Sequence, residues 1–273
     1  MNTNSNAYTV IYTTLVVVVV AAVLAFTAMK LKPSQSANAK AETLRQMMSA
    51  AQVKPTDELY ATKNADVLQL YAENIEEAFT VNLEGQRNGE LATDKANIQL
   101  VDNLKPQNKA IKEGGEVTLP VYIFKGGITV VPIYGAGLWG PVWGYIAFQP
   151  DGKTIAGAYF DHESETPGLG AKIKDEAWFR EEFIGEKPDF SSENVFEIVK
   201  GGAPKDAEGK SLVDNQIDAI TGATMTSKGL DAAIDTWLGA YAKYFGTDSC
   251  CEEECNGECD HENCEHNQNA EEE

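Results

Sequence analysis

Cysteine is absent from residues 1–249. That stretch can form no disulfide, offers no thiol nucleophile and holds no thiolate-bound cluster. Histidine is nearly absent too: His162 is the only one before residue 261. An imidazole metal site would lack a second His or Cys there, and no G-x-S-x-G turn exists to carry a hydrolase serine. Positive charge is scarce. The 273 residues carry 22 Lys plus Arg against 42 Asp plus Glu, a formal net charge of -20. Nothing would neutralise a phosphate backbone, so nucleic-acid binding is excluded as a function class.

Apolar residues make up 43% of the chain, enough to build a core. Val10 to Met29 is an uncharged run the length of a bilayer core. A cleaved signal peptide fits poorly: residues 1–9 hold no Lys or Arg, the apolar run is too long, and Ala37-Asn38-Ala39 lies too far downstream. The expected organisation is a leader at 1–9, a membrane helix at 10–29, a linker at 30–40 (most clearly the polar PSQSANAK of 33–40), a folded α+β domain at 41–246 and a tail at 247–273. Lys30, Lys32, Lys40 and Arg45 follow the span and no basic residue precedes it, which by the positive-inside rule places the body in the cytoplasm.

Within the body, Ala41 to Ala51 has helical spacing, and residues 55–118 read as short helices and strands. Val121 to Phe124, Ile128 to Tyr134, Val142 to Gln149 and Thr154 to Phe160 read as an antiparallel meander, punctuated by Gly126-Gly127 and Pro150-Asp151-Gly152. A short helix is expected over Asp175 to Phe183, with Trp178, Phe179 and Phe183 on one face, and a strand over Val195 to Val199. From Ser227 onward, Leu230, Ala233, Ile234, Trp237, Leu238 and Tyr241 form one apolar stripe, so a long amphipathic helix packs on the sheet.

Three stretches carry candidate chemistry. Gly135-Ala136-Gly137-Leu138-Trp139-Gly140 matches G-x-G-x-x-G, but Pro141 and a strand-like run follow where a dinucleotide site needs a helix. The alternatives are a plain Gly-rich connection or a backbone approached closely by a flat ligand, with Trp139 and Trp143 either packing on it or filling core. His162 opens a second stretch that continues through Glu165-Thr166-Pro167-Gly168-Leu169-Gly170, a turn or a loop whose amides line a cofactor. Asp218, Thr221, Gly222, Ala223, Thr224, Thr226 and Ser227 form the third, just before the long helix. A helix N-terminus presents unpaired N–H groups and the positive end of a dipole, which suit a phosphate. Capping by Thr226 or Ser227 is the plainer use of those hydroxyls.

Asp218-x-x-Thr221-Gly222-Ala223-Thr224 resembles the flavinylation motif of FMN-binding domains in redox-driven sodium pumps. The Gly135–Trp139 and Glu165–Gly170 stretches look like two further signatures of that family, in the same order, and the N-terminal anchor also matches. Over residues 8–246 the pattern resembles the C subunit of the Na+-translocating NADH:quinone reductase. The resemblance implies FMN joined by a phosphoester to Thr224, a separate flavin transferase that makes the bond from FAD, and an electron-relaying protein in the bacterial inner membrane. It implies membrane, flavin and iron–sulfur subunits as partners, and quinone reduction coupled to sodium export. It also implies a flavin domain on the outer, periplasmic face, against the Lys30/Lys32 charge bias. The relay needs no catalytic acid or base from this chain. The G subunit of the related Rnf complex is the nearest alternative; the long stretch between the anchor and the first clear strand favours the quinone reductase.

The tail lies outside that pattern. From Asp248 onward it holds eleven acids and no Lys or Arg. Cys250, Cys251, Cys255, Cys259 and Cys264, with His261 and His266, are thiol- and imidazole-rich without a zinc-finger spacing. A disordered, solvated tail is expected, with metal binding by a membrane-tethered protein as the rival from another function class.

Overall fold

The computed structural model describes residues 6–101, 103–192, 194–206 and 211–247. Residues 1–5 of the expected leader and the Cys/His tail with its metal reading lie outside the described residues.

The first element is α1 (Asn6–Ala50), a 45-residue helix that at 1.5 Å per residue is about 67 Å long. Its N-terminal half is long and apolar enough to cross a membrane and packs against nothing in the fold. The expected linker at 30–40 is instead helical. A helix already nucleated on both sides gains one backbone bond per added residue, and Pro33 removes only a single N–H from the series. The C-terminal half has a different role: Ala41, Leu44, Met47 and Met48 are fully buried.

Next come α2 (Thr56–Ala61), α3 (Asn64–Asn74), β1 (Ile75–Val81), β2 (Arg87–Glu90), α4 (Leu104–Glu113), β3 (Leu119–Phe124), β4 (Ile128–Ala136), β5 (Pro141–Phe148) and β6 (Ile155–His162). The strands form one six-stranded antiparallel sheet in the order β2-β1-β3-β4-β5-β6. The meander expected from the turn signals is its last four strands. Tyr122, Phe124, Val130, Tyr145 and Tyr159 face α1, α2 and α3. Val121, Val131, Ile133, Ile146 and Phe160 face the opposite layer. With both faces covered, the strands read as nearly continuous apolar runs.

That opposite layer contains α5 (Lys172–Asp175), α6 (Ala177–Glu181), β7 (Glu197–Val199), β8 (Gln216–Asp218) and α7 (Thr224–Thr247). The single helix expected at 175–183 is two short pieces broken at Glu176, whose φ of -104° and ψ of 118° are extended. Phe179 and Phe183 enter the core there, while Trp178 stays exposed rather than sharing their face. β7 pairs in parallel with β8, which leads into the third candidate stretch.

The helix α7 crosses β4 where the sheet opens. The β3–β4 register ends at Tyr122↔Val130, so the far half of β4 pairs only with β5. Pro132 is tolerated there because its nitrogen and the Tyr134 carbonyl, two residues on, both point to the uncovered side. Trp237 Nε1 donates to that Tyr134 carbonyl at 2.8 Å, and the Tyr241 hydroxyl donates to the Pro120 carbonyl at 2.7 Å. The indole and the phenol thus take up carbonyls that a longer strand would have paired.

Because α1 belongs to both the apolar span and the core, truncation should show a sharp boundary. A chain beginning at Ser34 is expected to fold without detergent. One beginning at Gln52 loses the buried Leu44, Met47 and Met48 and should be insoluble, at a cost exceeding about 2–5 kcal/mol for each large side chain removed. Solubility and the cooperativity of thermal unfolding check this.

Candidate cofactor site at the start of the last helix

The three sequence stretches meet at one end of the sheet. The first fills the turn between β4 and β5, the second leaves β6, and the third starts α7. One buried carboxylate joins them. Glu165 is 4% exposed. Its Oε1 accepts the Trp139 N–H at 2.9 Å, and its Oε2 accepts the Thr226 hydroxyl at 2.6 Å. Both oxygens are therefore satisfied, as a buried carboxylate requires.

Two glycines make room for it. A Cβ on Gly137 would lie 2.5 Å from Glu165 Oε1, and one on Gly170 would lie 2.4 Å from Oε2. Neighbouring bonds hold the loops in place. Gly137 N donates to the Gly140 carbonyl at 2.8 Å, the Ser164 hydroxyl donates to the Trp139 carbonyl at 3.0 Å, and Glu165 N donates to His162 Nδ1 at 3.1 Å. His162 thus orders the turn into Glu165.

Helix and strand backbones nearly touch beside this cluster. A Cβ on Gly229 would come within 2.2 Å of the Ala136 carbonyl oxygen, and one on Gly135 within 2.5 Å of Ala233 Cβ. Only glycine permits that approach, which brings the mouth of α7 against the Gly-rich turn. Gly229 was not anticipated as a site determinant; a glycine inside an otherwise good helical pattern was the available signal.

At the helix start, Ala223 N donates to the Ile220 carbonyl at 3.0 Å, closing a turn in which Gly222 has φ +85°. Ser227 N makes the bond to the Ala223 carbonyl at 2.9 Å. The N–H groups of Thr224, Met225 and Thr226 precede it and have no helix carbonyl to reach. The helix begins at Thr224 rather than at Ser227, so Thr224 stands half-buried in the mouth. Thr221 is exposed on the preceding turn.

The other two hydroxyls are taken up internally. Thr226 is buried and donates to Glu165, and Ser227 Oγ accepts the Ile220 N–H at 3.2 Å. Trp143 is not part of the cluster. The twofold alternation of β5 puts it on the α1 face with Tyr145, where its Nε1 donates to Gln46 Oε1 at 3.3 Å. Leu138, Trp139, Leu169 and Met225 do present exposed apolar surface around the mouth, Trp139 at 67% exposure. Leu169 lies over Gly222, within 3.0 Å of where a Cβ would be, and Thr166, Pro167 and Gly168 complete its open turn.

Asp218 sits apart from the mouth and braces the motif from behind. Its Oδ1 accepts Ala203 N at 2.7 Å, its Oδ2 pairs with Lys205 Nζ at 2.7 Å, and its own N–H donates to Glu182 Oε2 at 3.0 Å. Lys205 and Glu182, 13 and 36 residues away in sequence, carried no local signal. Burial alone would raise the Asp218 pKa, but the Lys205 ammonium and the Ala203 amide outweigh it and hold the carboxyl below its ordinary value. A depressed folded pKa contributes stability above the unfolded value of about 3.9 and loses it as pH falls through the folded value. The stability advantage of wild type over Asp218→Asn should therefore be present at neutral pH and shrink below pH ~4, read from denaturation midpoints.

The residues present fit a flavin phosphate. The first turn of α7, whose amides lack helix carbonyls, carries the half-buried Thr224, and the exposed apolar side chains around it suit a planar ring system. A family model described as "FMN-binding domain" matches residues 137–239. The C subunit of the Na(+)-translocating NADH-quinone reductase of Pasteurella multocida (strain Pm70) is 32% identical over 240 residues, 82% of this chain and 85% of that protein. Its counterpart in Vibrio anguillarum is 36% identical over 124 residues, which cover 44% of this chain and 46% of that protein. Among solved structures, the counterpart from Parabacteroides distasonis ATCC 8503 superposes with a TM-score of 0.61 at 31% identity, covering 79% of this chain and 96% of that one. The chain belongs to the C subunit family of the Na(+)-translocating NADH-quinone reductase.

Proposed function

We propose that this chain is the membrane-anchored flavoprotein subunit of a sodium-translocating NADH:quinone reductase and carries FMN in phosphoester linkage to Thr224. The observation that carries this reading is the convergence of three separated stretches, through Glu165, on a helix mouth with one half-buried hydroxyl. In the attachment step, made by a flavin transferase from FAD, Thr224 Oγ forms a bond to the FMN phosphorus. The pyrophosphate bond breaks, and AMP leaves with the hydroxyl proton. The amides of Thr224, Met225 and Thr226 hold the resulting phosphodiester, favoured by the helix dipole. Leu138, Trp139, Leu169 and Met225 shield the ring from water on the protein side. FMN held there would supply electron-transfer chemistry between an iron–sulfur partner and another flavin protein of the complex.

The anchor is residues 10–29, with the body on the periplasmic face. Two of the four basic residues after the span also have structural work in the fold. Lys40 donates to the Ile98 carbonyl, and Arg45 donates to the Leu59 and Thr62 carbonyls at 3.0 and 2.8 Å. Only Lys30 and Lys32 remain as exposed charges beside the span, a weak cytoplasmic signal that assembly with partner proteins overrides. The test is reconstitution in cells carrying the remaining subunits and lacking this one. The full chain should restore sodium-dependent NADH:quinone reduction in membranes, and Thr224→Val should not. Restoration by Thr224→Val would overturn the relay role.

A further inference from the structure

We propose that Glu165 is a charged positioning residue that lowers the reduction potential at the Thr224 site. The inference rests on the attachment reading above and adds the electrostatic control of that site. The carboxylate accepts from the Trp139 amide and the Thr226 hydroxyl, so each of its two oxygens has a donor. Its position is over-determined: Gly137 and Gly170 both leave the volume it fills, and it reaches the first turn of α7 two residues beyond Thr224.

Two anions then share one helix mouth, the phosphodiester on Thr224 and the carboxylate at Thr226. The dipole and free amides that hold the first are already partly offset by the second. Uptake of an electron at the site adds negative charge until a proton follows. A fixed anion therefore opposes reduction. Burial shields Glu165 from salt, so its field persists where a surface carboxylate would be screened. The same clamp sets the spacing between the Trp139 turn and the helix, and a merely structural role would predict no change in potential when an isosteric amide keeps both contacts.

The test uses the full chain, co-expressed with a flavin transferase and purified in detergent. The midpoint potential is read by redox titration of the flavin absorbance. Glu165→Gln keeps the shape, accepts from Trp139 N through its carbonyl and donates to Thr226 Oγ through its amide. It is expected to retain covalent flavin at a higher midpoint potential. Thr226→Ser keeps the hydroxyl on the carboxylate and is expected to leave the potential at the wild-type value. An unshifted or lowered potential in Glu165→Gln, or a Thr226→Ser shift as large as that of Glu165→Gln, overturns it. A wild-type chain without covalent flavin overturns the attachment reading and this inference together; a flavinylated chain with the wrong shifts overturns this inference alone.

Discussion

Thr224→Val yields a folded chain with no covalent flavin. Valine replaces the hydroxyl by a methyl group of nearly the same shape, and Thr224 is only half-buried in the helix mouth, away from the core, so the stability cost should be small. The chemistry is removed outright, because the phosphoester needs an oxygen. Thr226 and Ser227 cannot substitute. Their hydroxyls are buried and committed to Glu165 and to the Ile220 amide. Thr221 is exposed, but it lies before the helix, away from the free amides. In-gel flavin fluorescence after co-expression with a flavin transferase should therefore fall to background in Thr224→Val, while circular dichroism and the thermal midpoint stay near wild type. Residual fluorescence would place the attachment on Thr221.

The largest stability loss is expected from Trp237→Ala. The indole is fully buried between α7 and the open half of β4, and its Nε1 also donates to Asn108 Oδ1 at 3.1 Å. Truncation leaves a cavity and strips the Tyr134 carbonyl of its donor. Loss of a large buried aromatic costs about 3–5 kcal/mol, and an unpaired buried carbonyl adds roughly 1–3. At about 2–4 °C per kcal/mol for a domain of this size, the thermal midpoint should fall by more than about 8 °C. Trp237→Phe keeps most of the ring and loses the N–H, so it should fall between the two. Flavin loading should decline with folding, because Trp237 lies on the same helix as Gly229, whose contact with Ala136 sets the helix mouth against the Gly-rich turn.

The parts of this fold legible in the sequence are those whose signals are local. The span is a composition signal, β3 to β6 are runs separated by turn residues, and α7 is an apolar stripe at helical spacing. The three motifs were visible for the same reason; they left four hydroxyls before a helix, among which only the resemblance to FMN-binding domains singled out Thr224. What escaped is non-local. Polar residues 33–40 are helical because helices on both sides propagate through them, not because of their own propensity. Trp143 and Trp139 looked equivalent by composition. Strand alternation sends Trp143 to the α1 face, and which layer would cover each face was not encoded nearby. The hydroxyl of Thr226 is claimed by a residue 61 positions away, and Asp218 is braced by Lys205 and Glu182 across the chain. Alternation and capping rules identified candidate polar atoms; only the packed structure shows which of them are already spent on holding the fold.

The covalent flavin on Thr224 is tested most directly by locating the modification in the peptide that contains all four candidate hydroxyls. Trypsin should release residues 211–228, which include Thr221, Thr224, Thr226 and Ser227. Fragmentation mass spectrometry of that peptide, taken from chain matured with a flavin transferase, should find one FMN in phosphoester linkage on Thr224 and none on the other three. An unmodified peptide, with the transferase active on a control protein, or an FMN on Thr221, Thr226 or Ser227, would contradict the account.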